Sequence, residues 1–163
     1  MKKFLPSKEY YKSLSKKHMG AGVLLFNRKN ELLIVKPSYK KGWSIPGGTI
    51  DANESPRECA IRETKEEIGI KLKKLRLVCI DYKKTKGYNL ENLQFIFYGG
   101  IFSDKELGKI NLENKELESY KFISVNDNLN LLRPNLRKRL PNCLKAIKTN
   151  SVFYLEETKK IGC

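Results

Sequence analysis

The chain is expected to fold as a mixed α/β domain, with a sheet around one central helix. Three observations lead to that reading. Apolar runs of strand length recur at 21–27 (AGVLLFN), 31–36 (ELLIVK), 75–82 (LRLVCIDY), 93–102 (LQFIFYGGIF) and 120–125 (YKFISV), separated by polar connections. A single helical pattern opened by Ser55-Pro56 and closed by Gly69 lies between the second and third runs. A second helical pattern, from about Pro134 to Lys148, follows the last. No internal repeat is present. A chain of 163 residues suits one domain with terminal extensions, burying roughly two thirds of its unfolded surface. The expected divisions are an N-terminal extension over 1–19, the main domain over 20–150 and a C-terminal tail over 151–163.

The elements follow in chain order. Residues 1–19 are lysine-rich, with Phe4, Leu5, Tyr10, Tyr11 and Leu14 as anchors. The spacing of Tyr10, Tyr11 and Leu14 predicts a short docked helix. His18, the one histidine, has no histidine partner and reads as a surface or packing residue. The runs 21–27 and 31–36 read as two strands joined by a tight turn at Arg28-Lys29-Asn30. Pro37 to Gly42 is a polar connection, and Trp43-Ser44-Ile45 leads into Pro46-Gly47-Gly48. Adjacent glycines there admit backbone angles closed to other residues and let a ligand approach the main chain. Ser55 is an N-cap with Pro56 in the first turn and Glu58 completing a capping box. Gly69 is a C-terminal stop. Lys83 to Asn92 is a polar loop containing Gly87. The strand 93–102 is expected to bend at Gly99-Gly100, and Phe95 and Phe97 share one of its faces as core residues. Lys105 to Lys115 is a polar loop. The final helix should bury Leu136, Leu140, Leu144 and Ile147 and be interrupted or kinked near Pro141.

Composition limits the function classes. With 40% hydrophobic and 31% charged residues, the chain resembles a soluble globular protein. It has no apolar run long enough to cross a bilayer. The basic N-terminus lacks the continuous apolar segment of a secretory signal, so a cytoplasmic protein without membrane partners is expected. Cys59, Cys79, Cys143 and Cys163 form no CxxC and read as free thiols, the last on a mobile terminus. The net charge of +15 has two readings. It could attract polyanions such as nucleotides or RNA. It could equally be compositional, since 26 lysines outnumber 7 arginines and are spread along the chain with 13 asparagines. No RRM or KH signature is visible.

Against that basic background, Gly48 to Ile70 (GTIDANESPRECAIRETKEEIGI) holds Asp51, Glu54, Glu58, Glu63, Glu66 and Glu67, six of the 18 carboxylates. Glu63, Glu66 and Glu67 stand at i, i+3 and i+4, within about 100° of one another on a helix, so their carboxylates should converge. Ala60, Ile61, Thr64 and Ile68 fall on the adjacent, sheet-facing side. Arg62 and Glu54 lie to the side, where an ion pair could hold loop to helix. A solvated acidic helix is the bland alternative. Like charges at these spacings oppose helix formation unless cations join them, and such hard oxygen donors suit Mg²⁺ or Mn²⁺.

The pattern Gly48, five residues, Glu54, seven residues, Arg62-Glu63-Thr64, one residue, Glu66-Glu67, one residue, Gly69-Ile70 resembles the box of the Nudix hydrolase family. Thr64 departs from it, standing where an aliphatic residue is usual. The resemblance extends over about 20–148 and implies an α/β/α sandwich around a mixed central sheet. It implies metal-dependent hydrolysis of a nucleoside diphosphate linked to another moiety, in a nucleotide, nucleotide-sugar or ADP-ribose type substrate. By position, Glu63, Glu66 and Glu67 would bind Mg²⁺ (or Mn²⁺), with Glu63 also a candidate base. The carbonyl of Gly48 or Gly47 would add a ligand, and Arg62 and Glu54 would orient loop and helix. Glu116 best fits a further family glutamate, with Glu113 and Glu118 competing. Trp43 would stack on a base or brace its loop. Lys40 and Lys41, beside Tyr39, would contact phosphate or sit in a solvated loop. Cys59 would pack near the site. Two alternatives stay open: an RNA 5′ pyrophosphohydrolase or decapping enzyme, motivated by the charge, and a non-catalytic nucleotide-sensing domain. Either a monomer or a homodimer is consistent with the sequence.

Overall fold

Apolar runs buried on both sides set the architecture. The computed structural model describes residues 7–84, 91–112, 116–127 and 129–161; Phe4, Leu5, Gly87, Glu113 and Cys163 lie outside them. A short helix α1 (Ser7–Ser13) precedes strands β1 (His18–Asn27) and β2 (Glu31–Pro37). Ala21, Val23, Leu25, Leu33 and Val35 enter one core, and Leu24, Phe26, Leu32 and Ile34 the other. Burial on both faces is why these strands read as continuous apolar runs. Asn30, at φ 59°, turns the chain between them.

Next come β3 (Gly47–Thr49), α2 (Pro56–Ile68), β4 (Arg76–Lys83) and β5 (Asn92–Phe102). They are followed by α3 (Asp104–Leu107), β6 (Leu117–Ser124), a 3₁₀ turn (Leu129–Leu131), α4 (Pro134–Lys148), β7 (Phe153–Glu156) and β8 (Lys159–Lys160). The strand order is β6-β2-β1-β5-β4-β7-β8, with β3 also on β1. The pairs β1–β5 and β4–β7 are parallel and the others antiparallel, giving the expected mixed sheet. Helix α2 covers one face through Cys59, Ala60 and Ile68, and α4 the other through Leu136, Leu140, Cys143 and Ala146. The result is an α/β/α sandwich.

One feature of the sheet creates the site. The C-terminal half of β1 pairs with β2 at Phe26–Leu32, but its N-terminal half, Gly20 to Gly22, pairs with β3. The 43–46 segment bridges the gap, with Ser44 exchanging backbone bonds with Val35 (2.8 and 2.9 Å) and Val23 N–H donating to Pro46 O (2.9 Å).

Several expectations are corrected. Helix α1 forms, but Tyr10, Tyr11 and Leu14 are exposed rather than docked. The two tyrosine rings pack edge to face on each other, 5.6 Å apart, instead of on the sheet. The polar loop at 105–115 begins with α3, whose Ser103–Glu106 capping box was readable as S-x-x-E. Strand β6 starts at Leu117, three residues early. Helix α4 is not interrupted at Pro141, which lies on its solvent side, where the carbonyl it frees is open to water. The bend at Gly99-Gly100 appears as a register shift opposite Leu24-Leu25. Within 151–163, β7 extends the sheet beside β4 and β8 folds back on it. The turn between them holds Glu157 (φ 51°) and Thr158 (φ 69°) in left-handed backbone, a cost of about 1 kcal/mol each for non-glycine residues. Among the described residues, no helix is long and apolar enough to cross a membrane.

Candidate active site

The site is built on α2, whose ends are fixed locally. Ser55 Oγ accepts from Glu58 N–H (3.2 Å), Glu58 Oε2 accepts from Ser55 N–H (2.9 Å), and Gly69 closes the helix in left-handed geometry. The helix buries Cys59, Ala60, Thr64, Glu67 and Ile68 toward the sheet. Thr64 takes the aliphatic position without an orphaned hydroxyl, because its Oγ1 donates to Ala60 O (2.7 Å). Cys59 packs under the loop, its thiol against the Thr49 carbonyl (3.4 Å), and burial pushes its pKa up to about 12. A thiol so shifted packs and does not react.

Gly47 and Gly48 let the helix carboxylates reach the main chain. Glu67 Oε2 accepts from Gly47 N–H at 2.8 Å. Gly47 has φ 144°, and a Cβ there would stand 2.1 Å from Ala21 O. A Cβ on Gly48 would stand 2.3 Å from Glu63 Oε1. Only glycines allow both contacts.

Arg62 links loop and helix. Its Nε and Nη2 clamp Glu54 (2.7 and 2.9 Å), Nη2 also donates to Thr49 O (3.2 Å), and Nη1 donates to Glu63 (2.8 Å) and Glu66 (3.1 Å). The expected Arg62–Glu54 pair is therefore present and bidentate. The guanidinium, with the Asp51 N–H, holds the Glu54 carboxyl down at about 2. Burial, with Glu63, Glu116 and Glu66 nearby, pushes Glu67 up to about 8 despite the Gly47 N–H. Burial also raises Glu63, against the pull of Arg62.

A cleft of about 650 Å³ runs from this point across the β1 glycines to α4. Glu63, Glu67, Glu116, Tyr39, Lys40 and Lys41 line one end. The Glu116 carbonyl accepts from Ser38 N–H (2.8 Å) and Oγ (3.1 Å), tying its loop to the Tyr39–Lys41 loop. Its competitor Glu118 pairs with Lys36 instead.

Glu66 is placed differently from the sequence reading, and Trp43 takes the second of its two expected roles. Glu66 does not converge on the cleft; Arg62 draws it to the outer side of α2, where it is half exposed. Trp43 does not line the cleft. It braces its loop, donating from N–H to Leu131 O and accepting from Arg133 N–H (both 3.0 Å), with Lys121 Nζ 4.4 Å from the ring centroid. Phe95 and Phe97 pack in the core, and exposed His18 meets Thr49 Oγ1 at 3.2 Å.

Sequence reading missed the other end of the cleft: Asn92, Gln94, Asn135 and Arg139. One signal was available, because Arg139 lies three residues after Leu136 on the inward face of α4.

Among the described residues, no three His, Cys, Asp or Glu side chains are grouped to hold a metal ion. The donor chemistry nevertheless fits Mg²⁺ or Mn²⁺. Mg²⁺ keeps several waters and uses one or two carboxylates with substrate phosphates, and the buried Glu67 and partly buried Glu63 are two carboxylates facing one cleft. Burial first, and the neighbouring carboxylates after it, raise both their pKa values, and a bound cation would offset both.

Comparisons with known proteins agree with this geometry. The NUDIX domain model matches residues 16–145. A putative 8-oxo-dGTP diphosphatase of Bacillus subtilis is 30% identical over 77% of this chain and 78% of its own length. An RNA pyrophosphohydrolase of Hydrogenovibrio crunogenus is 28% identical over 61% and 67%. The crystal structure of a MutT protein from Methanosarcina mazei superposes with a TM-score of 0.63 at 23% identity, covering 85% of this chain and 99% of that one, and speaks for the fold. Box, sandwich and relatives together place the chain in the Nudix hydrolase family.

Proposed function

We propose that the chain is a divalent-metal-dependent hydrolase of a nucleoside diphosphate linked to another moiety. One observation carries this reading. Glu63 and Glu67 meet the Gly47–Gly48 backbone in a cleft whose other charged lining includes Lys40, Lys41 and Arg133. Carboxylates for a cation thus stand beside cations for phosphate. Glu63 and Glu67 would hold Mg²⁺ or Mn²⁺, with Glu116 joining once a cation draws it in and Glu66 after release from Arg62. When bound, the metal neutralises phosphate oxygens and lowers the pKa of a water. Hydrolysis adds water oxygen to one phosphorus, breaks that phosphorus's bond to the bridging oxygen, and releases a proton. Glu63 would take that proton, and burial raises its pKa, which supports the role. Lys40, Lys41 and Arg133 offset the charge of the phosphates. Arg62 and Glu54 hold the loop against the helix.

The test is a substrate panel with Mg²⁺ and Mn²⁺: nucleoside triphosphates, ADP-ribose, dinucleoside polyphosphates, and capped or triphosphorylated RNA. Cleavage of a phosphoanhydride in at least one class is expected. Tight nucleotide binding without hydrolysis across the panel would favour a non-catalytic sensor.

A second reading, RNA 5′ pyrophosphohydrolase, rests on charge. Helix α4 carries Arg137, Lys138, Lys145 and Lys148 and no acidic residue, and its N-terminal end lines the cleft. Triphosphorylated RNA would then be cleaved better than free nucleotides, with a rate falling steeply with salt.

A further inference from the structure

The cleft end remote from the carboxylates is built around a buried charge pair that the hydrolysis above does not use. Asp81 on β4 is fully buried and Arg139 on α4 is 5% exposed. Arg139 Nε and Nη2 both donate to Asp81 Oδ2, at 2.9 and 2.6 Å. Asp81 Oδ1 accepts from Thr158 N–H at 3.0 Å. That amide comes from the β7–β8 turn, where Glu157 and Thr158 are held in left-handed backbone. The turn also docks through Glu157 N–H to Tyr82 O (2.9 Å). This hairpin lies beyond residue 145, where the family match ends.

Burying such a pair is rarely worthwhile for stability alone. Here every Asp81 contact fixes the guanidinium, yet Arg139 Nη1 has no acceptor among the described residues. It is also not sealed, since among the described residues the one buried side-chain nitrogen or oxygen without a partner is Arg76 Nη1, which lies elsewhere. Arg139 lines the cleft with Gln94 and Asn135. The lining carboxylates Glu63, Glu67 and Glu116 all belong to the opposite end. Thr49, next to Gly48 on β3, and Asp81 on β4 are three strand steps apart, through Gly20 and Gln94, or about 14 Å. That span would accommodate a substrate with its diphosphate at the carboxylates and its nucleoside toward Arg139.

We propose that Arg139 is a specificity-determining residue whose Nη1 donates to a carbonyl-bearing base edge, that of a 6-oxopurine or 4-oxopyrimidine, with Asp81 and the β7–β8 turn as its positioning residues. This rests on the hydrolase reading for the direction in which the substrate lies. Arginine can only donate, and this end has no carboxylate to receive an exocyclic amino group. The amides of Gln94 and Asn135 can take either role, so the fixed donor sets the preference.

The experiment measures kcat and KM for guanosine, uridine, adenosine, cytidine and 2-aminopurine riboside 5′-triphosphates, on wild type and Arg139→Lys. Lysine keeps the charge opposite Asp81 and removes the Nη1 donor. Wild type should favour the oxo bases, with guanosine over 2-aminopurine by about 10- to 100-fold. In Arg139→Lys that ratio should fall toward one through KM, with kcat within a few-fold of wild type. Equal wild-type use of guanosine and 2-aminopurine, or an undiminished ratio in Arg139→Lys, would overturn the assignment. A residue that only supports the fold would lower all five rates together. If Arg139→Lys does not fold, the wild-type ratio decides. If nothing is hydrolysed with either metal, the hydrolase reading fails, and calorimetric binding of guanosine against 2-aminopurine riboside monophosphates decides the role of Arg139 alone.

Discussion

The two ends of the cleft meet opposite electrostatic problems. At Gly47–Gly48, carboxylates crowd without enough counter-charge, and burial pushes Glu67 up to about 8. At Asp81–Arg139, each buried charge is answered: Asp81 by three donors, Arg139 by one carboxylate oxygen. The first end is poised to receive a cation and the second to hold a shape. The comparison teaches that buried charge left uncompensated marks chemistry, whereas buried charge fully compensated marks positioning.

The largest expected effect breaks the first end. Glu63→Gln should lower turnover by about 10²- to 10⁴-fold, the scale of a lost general base, with a thermal midpoint at or above wild type because a crowded carboxylate is gone. Steady-state kinetics and thermal unfolding on the same sample check both parts. Breaking the second end should do the reverse. Asp81→Ala leaves Arg139 buried and unpaired, so denaturant unfolding should show a loss of about 3–5 kcal/mol.

A finer contrast separates the two adjacent glycines. At Gly48→Ala the new Cβ meets the movable end of Glu63, so activity should fall about 10- to 100-fold while stability stays near wild type. At Gly47→Ala it meets the Ala21 backbone at a φ closed to alanine, so stability should fall as well. Equal behaviour of the two variants would break the account of this loop.

The smallest effect is a pH dependence. Glu54 titrates at about 2 in the folded chain and near its ordinary 4.5 when free. A lowered acid stabilises the fold fully above the unfolded value and progressively less as pH falls toward the folded one. The midpoint difference between wild type and Glu54→Gln should therefore be constant above about pH 5 and shrink toward pH 2. A difference that grows on acidification would contradict the Arg62–Glu54 clamp.

The same contrast explains what the sequence could tell. Glu63 and Glu67 lie in one contiguous stretch with local caps at Ser55 and Gly69, so their spacing was legible, whereas Glu116 at the same end was expected only from the family resemblance. Helical arithmetic failed at Glu66, because it counts directions and not partners, and Arg62 one turn earlier claimed that side chain. Ring placement at Trp43 depended on backbone bonds to Leu131 and Arg133, about ninety residues on, which no local pattern encodes. The other end joins Asp81, Arg139 and Thr158 from β4, α4 and the β7–β8 turn. Asp81 is a lone acid in an apolar run, Arg139 is one of three consecutive basic residues and Thr158 lies in a polar turn, and only the folded sheet brings them together.

The most direct test of the central claim is hydrolysis of the best panel substrate by wild type with Mg²⁺, by wild type with chelator, and by Glu67→Gln with Mg²⁺. The account predicts turnover in the first and its near-complete loss in the other two, with Glu67→Gln still folded. Undiminished turnover in chelator or in Glu67→Gln would contradict it.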